Sequence, residues 1–135
     1  MQVSSVLVGT QLKPVSNTRT TNPLAHDGVE LVPSLTHIIG REQALYFQYE
    51  VYDPTVKTGS LELRTSLAFY RGKIRVFETP LMERTHLDAA DRHAAVFQFE
   101  VPPGSLTAGL YTCQVNIIDA VSNRFAFPRL QIYVR

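Results

Sequence analysis

The chain has no tryptophan and only one cysteine, Cys113, among its 135 residues. A lone thiol excludes an intrachain disulfide, so the fold must rest on a hydrophobic core, which a chain of this length can bury without staples. An excess of one charge is also missing. Thirteen Lys and Arg stand against twelve Asp and Glu, for a formal net charge of +1. The basic residues are scattered, with no stripe interleaved with stacking aromatics, so no nucleic-acid partner is expected. No run of about 18 apolar residues occurs, which argues against membrane insertion by a helix. The first residues lack a basic stretch followed by an apolar one, so no signal peptide is read there. A strand-like run begins almost at once, which suggests a segment cut from a longer chain, with Met1 an added residue.

What is present is globular. The hydrophobic share is 44% and the charged share 19%, far from a disordered composition. One domain spanning residues 1–135 is expected. Strand signals dominate. Residues 3–8 (VSSVLV) are short and β-branched. Residues 14–28 are polar and turn-rich, and read as a long loop. Residues 29–32 read as a short edge strand stopped by Pro33.

Residues 45–52 alternate cleanly, with Leu45, Phe47, Tyr49 and Val51 on the inferred core face. Residues 61–70 and 74–79 flank Arg71-Gly72-Lys73 and predict a β-hairpin. Residues 81–95 carry the only helical character, enough for a loop with one helical turn. Residues 96–101 alternate again and stop at Pro102-Pro103-Gly104. Tyr111, Cys113, Val115 and Ile117 form the inward face of the next strand. The last strand covers residues 124–134, with a bulge or edge position at Pro128. The expected fold is therefore all-β, an immunoglobulin- or fibronectin-like antiparallel sandwich of about seven to eight strands.

The segment Gly109-Leu110-Tyr111-Thr112-Cys113-Gln114-Val115 sharpens that expectation. A tyrosine two residues before a cysteine marks the start of strand F in such sandwiches, where its hydroxyl ties the preceding loop back to the backbone. Tyr111 and Cys113 are accordingly read as structural.

Four stretches carry a family resemblance: VPSLTH (residues 32–37), LYFQYEVYD (45–53), the hairpin LAFYRGKIRVFETP (67–80), and FEVPPGSLTAGLYTCQVNIID (99–119). Together they resemble the C-terminal β-sandwich region that follows a von Willebrand factor A domain in secreted or envelope proteins of Acidobacteria. The segment around YEVYD is also similar to the sandwich region of bacterial proteins with the GWxTD domain. The resemblance covers residues 29–135, and its motifs are mainly fold-forming. It implies export to the periplasm, the cell envelope or the medium. The Asp-x-Ser-x-Ser metal motif of an A domain is missing, so metal-dependent adhesion chemistry is not carried over. Against immunoglobulin domains proper, the tryptophan and the second cysteine are missing, and Phe47 or Tyr49 is expected to fill the space of the disulfide.

The candidates for chemistry are few, and no cofactor is expected. His86, Asp88, Asp91 and His93 form the densest group of metal-capable side chains. Their spacing matches no established site, and a solvated loop explains them as well. His26-Asp27-Gly28 and His37 are further histidines, the latter read as a partly buried turn residue. Cys113 has an inward register and reads as inert. Gly-x-Ser-x-Gly and a phosphate-cradling Gly-rich loop are missing. Glu50 and Glu100 could pair for glycoside hydrolysis but read as solvent-facing. Asp53 and Asp119 end strands and read as turn caps, with calcium between domains as the alternative.

The outward aromatics are the better lead. Tyr46, Tyr52 and Tyr70 fall opposite the core register, and Phe125 and Phe127 precede Pro128. On one sheet they would form a docking patch for a protein partner, a neighbouring domain of the same chain, or a polysaccharide. The expected function is a non-enzymatic interaction or spacer module, with a carbohydrate-binding module as the alternative.

Overall fold

The computed structural model describes residues 1–14, 25–26 and 28–135. In chain order the strands are β1 (Gln2–Val3), β2 (Leu7–Pro14), β3 (Ala25–His26), β4 (Val29–Pro33), β5 (Ile38–Ile39), β6 (Leu45–Tyr52), β7 (Leu63–Arg71), β8 (Ile74–Glu78), β9 (Met82–Arg84), β10 (Ala94–Val101), β11 (Gly109–Asp119), β12 (Arg124–Ala126) and β13 (Arg129–Val134). The described part is all-β, with one short 3-10 turn at Ala90–Arg92.

Two sheets result. In the first, β6 is paired along its length by β10 on one side and by β1 and then β2 on the other, and β4 and β3 extend the sheet beyond β2. In the second, β11 is central, with β7 on one side and β12 and β13 on the other. β8 and β9 lie outside β7, and β5 runs parallel beside β13. Setting β2, β6 and β10 against β8, β7, β11 and β13 gives the strand succession of an immunoglobulin-type sandwich.

The core lies between the sheets and follows the period-two pattern. Leu45, Phe47, Tyr49 and Val51 of β6 and Phe97 and Phe99 of β10 face Leu63, Leu67 and Phe69 of β7 and Tyr111, Cys113, Val115 and Ile117 of β11. Phe47 meets Phe69 edge-on across the gap, ring centroids 5.7 Å apart at 67°. Such a pair adds about 0.5–1.5 kcal/mol beyond the area it buries.

Several local expectations change. The strand expected over residues 3–8 is split. Ser4 turns its hydroxyl onto the β6 backbone, accepting from the Glu50 N–H at 2.8 Å. A side chain that occupies a ladder position displaces the regular pairing, and β2 resumes at Leu7. Gly9 then lets β2 switch partners from β6 to β4, because a Cβ there would lie 2.2 Å from the Val32 carbonyl oxygen.

The strand over residues 29–32 is not an edge: β4 is flanked by β2 and β3. The loop expected over residues 14–28 falls largely outside the described residues, but its ends are strand, since β2 runs to Pro14 and β3 occupies Ala25–His26. Within residues 81–95, Met82–Arg84 is a strand paired to β7 beside the expected single turn. The hairpin forms as expected, with Gly72 at φ +60° in its turn.

Candidate functional site

The corner before β11 is built as the sequence pattern requires. Tyr111 is buried, and its hydroxyl donates to the Thr107 carbonyl at 2.6 Å. The Arg71 guanidinium lies over the Tyr111 ring at 5.6 Å and donates to the Thr107 hydroxyl at 3.2 Å. Gly109, at φ +150°, leaves room for it. Cys113 is fully buried, and burial pushes its thiol up to about 12, so it stays protonated and unreactive at neutral pH.

Tyr49 and Cys113 belong to the same buried core. The Tyr49 hydroxyl is hydrogen-bonded to the Thr65 hydroxyl, which donates to the Asn116 carbonyl at 2.7 Å. Burial raises the Tyr49 pKa well above that of a free phenol. This polar pin joins the two sheets through the core. Sequence periodicity marks both residues as inward but cannot show that they meet.

The metal candidates are not gathered. Among the described residues, no three of His, Cys, Asp or Glu converge. Asp88 is engaged locally: its carboxylate accepts from the Val96 N–H at 2.8 Å and pairs with Arg84 at 3.5 Å. His86 contacts the neighbouring Thr85 hydroxyl at 3.2 Å. Asp91 is exposed, and His93 is exposed in a left-handed turn at φ 50°. His37 is half-buried in a turn, its Nδ1 3.1 Å from the Gln131 carbonyl. The His26 side chain and Asp27 lie outside the described residues.

The two glutamates are also apart. Glu50 is opposite Val96, four residues along β10 from Glu100. That places them roughly 13 Å apart, beyond the 5–9.5 Å of a glycosidase pair. Glu50 is not solvent-facing as expected. It is only 5% exposed and held by a forked pair of bonds from Arg92, Nε at 3.1 Å and Nη2 closer still. Asp119 is buried, and its carboxylate accepts from the Thr55 N–H at 2.8 Å, which ties the end of β11 to the loop after β6. Burial opposes its ionisation, but the hydrogen bonds from Thr55, Ser122 and Val121 outweigh this and hold its carboxyl below the usual range.

The five outward aromatics do not share a face. Tyr46 and Tyr52 are on β6, on the outer side of the first sheet, both half-buried. Tyr52 is hydrogen-bonded to Glu50, which raises its pKa. Tyr70 and Phe125 belong to the second sheet, and Phe127 lies in the link between its strands β12 and β13. Alternation along a strand shows in from out, but not which sheet the strand joins.

Even on the second sheet there are two separate places. Phe125 stands opposite Ile118, which stands opposite Arg64, six residues along β7 from Tyr70. The separation is roughly 20 Å. At one end, Phe125 and Phe127 are 59% and 52% exposed. Their rings are stacked, with centroids 6.3 Å apart at 7°. Toward the other end, a groove of ≈ 340 Å³ is lined by Tyr70, Gly72, Lys73, Thr112, Gln114 and Arg129. Beyond it Leu110 is directly opposite Tyr133, which neighbours Ile38, and all three are exposed. The sequence reading missed this row, although Leu110 and Tyr133 both sit out of phase with buried neighbours.

A second depression of ≈ 340 Å³ lies beside Lys57, Glu62, Glu83 and Val121. Both of its carboxylates serve Arg64, Glu83 at 3.4 Å and Glu62 at closer range. A scan against protein-family models finds no match, and a search of curated proteins finds no relative. No helix among the described residues is long and apolar enough to cross a membrane.

Proposed function

We propose that this chain is a non-enzymatic interaction module of an exported bacterial protein, docking onto a neighbouring A-type domain or a separate protein partner. The stacked, exposed Phe125–Phe127 pair carries the reading. Two parallel phenyl rings beside Ile118 form a compact apolar contact, the kind of anchor that dominates interface energetics when covered. The resemblance of residues 29–135 to sandwich regions following A domains supports the placement in the periplasm, envelope or medium and the choice of partner.

The test is a pull-down from envelope extracts of the source cell, read by mass spectrometry, with the native chain beside a Phe125→Ala/Phe127→Ala double variant. A specific protein retained by the native chain and lost from the variant is expected. Equal retention by both overturns this docking face.

The groove beside Tyr70 favours a second reading, a carbohydrate-binding module. A tyrosine ring, a hydroxyl, a carboxamide and two cations converge there.

A further inference from the structure

We propose that the groove beside Tyr70 binds an acidic saccharide, a uronic-acid-bearing sugar whose ring lies against Tyr70 and whose carboxylate seats on Arg129 and Lys73. The inference rests on the carbohydrate-binding reading and is independent of the phenylalanine docking face.

The groove's charge comes first. Its lining holds two cations and no carboxylate. Arg129 Nε donates to Gln114 Oε1 at 3.0 Å. Gln114 Nε2 donates in turn to Asn116 Oδ1 at 2.7 Å, and Asn116 Nδ2 donates to Ser66 Oγ at 3.3 Å. This ladder fixes the guanidinium through its inner nitrogen and leaves the terminal nitrogens for a planar anion, which arginine grips in a forked geometry. Lys73 stands in the β7–β8 turn at the rim, with no ion pair among the described residues. Glu78, which lies across from Ala68 on the same face, is paired with Arg75 at 2.8 Å. The groove is thus locally positive in a chain that is nearly neutral.

The position of the groove then selects the class of ligand. Tyr70 and Thr112 face each other on β7 and β11, both interior strands of the sheet. Their backbone N–H and C=O groups are committed to neighbouring strands, so an acidic peptide finds no ladder to join, the usual source of affinity for extended peptides. Nucleic acid would need more phosphate contacts than two cations provide. A sugar needs neither. Its C–H face packs on one aromatic ring, its hydroxyls exchange hydrogen bonds with Thr112, and its carboxylate is ionised at neutral pH. The volume is at the small end of ligand sites, suited to a short stretch of polymer.

The test is affinity electrophoresis of the whole chain through gels containing polygalacturonate, dextran or polyglutamate. Retardation by polygalacturonate, and not by dextran, is expected. Lys73→Glu and Arg129→Gln should each weaken it by about tenfold. Tyr70→Ala should weaken it similarly and Tyr70→Phe should not, all with native thermal melts. Lys73 is exposed on a turn, so its variant tests the groove even if Tyr70→Ala misfolds. Retardation that survives Lys73→Glu/Arg129→Gln overturns the groove. Equal retardation by polyglutamate, unaffected by Tyr70→Ala, reduces the effect to bulk charge and overturns it too. Retardation by dextran, unchanged in the variants, overturns the acidic groove but keeps the carbohydrate-binding reading. No retardation by either polysaccharide overturns both.

Discussion

Tyr111 and Thr107 are joined by a hydrogen bond of 2.6 Å that closes the loop entering β11 on itself. The ring is buried at the end of the core, and the acceptor carbonyl belongs to an exposed residue. Tyr111→Phe keeps the packing and removes only the tie, so water can replace the lost donor at the carbonyl. The expected loss is about 1 kcal/mol, or roughly 3–5 °C in melting temperature. Urea unfolding checks it. A loss of less than about 0.3 kcal/mol would mean that the Arg71 contact, not the hydroxyl, holds the corner.

The Tyr49–Thr65 pin should behave differently, because neither partner can reach water. Thr65→Val leaves the Tyr49 hydroxyl buried without its partner and takes the side-chain donor from the Asn116 carbonyl. An expected cost of about 2–3 kcal/mol follows from stranding a buried polar group. Tyr49→Phe in the same chain removes the stranded hydroxyl, so the double variant should be less destabilised than the sum of the singles. Additive losses in equilibrium unfolding would show that the two hydroxyls are not coupled.

The contrast between these two contacts also shows what the sequence reveals. The Tyr111 corner is local: the tyrosine, the glycine two residues earlier and the cysteine two residues later announce it. The Tyr49–Thr65 pin joins residues on opposite sheets, and alternation marks each as inward without pairing them. The same limit misled the reading of the aromatics. Tyr46, Tyr52 and Tyr70 all alternate outward, but β6 and β7 enter different sheets, so one apparent patch becomes separate places. Glu50 failed for another reason. It alternates outward correctly, but Arg92 folds over it from a loop whose path no periodicity encodes. The long alternating runs of β6, β7 and β11 were legible because each buries one face along its whole length. Met82–Arg84 was not, being too short to show a period.

Asp119 predicts an acid limb of stability. Its carboxyl is held below the usual range in the folded chain, so the folded state favours the ionised form. The stability it contributes is fully present above the unfolded value of about 3.9 and is lost as pH falls through the lower folded value. Asp119→Asn should lower stability at pH 7 and flatten the loss below about pH 4. Urea midpoints from pH 2 to 7 give the comparison. Parallel curves for the two proteins would show that Asp119 is not a source of the acid dependence.

Cys113 makes the opposite prediction at high pH. Burial pushes its folded value up to about 12, whereas a free thiol titrates near 8.5. A raised value means that the folded state holds the proton more tightly. Its contribution is therefore complete below the unfolded pKa and is lost as pH rises from about 8.5 toward the folded value. Two measurements follow. A thiol reagent at pH 8 should leave the native chain unlabelled and react at once in denaturant, because only the thiolate attacks and only unfolding exposes it. Cys113→Ala should cost about 1–2 kcal/mol at neutral pH through lost packing, yet fall off less steeply above pH 9 than the native chain. Rapid labelling of the native protein would show that the strand around Cys113 opens far more readily than its central place between β7 and β13 implies.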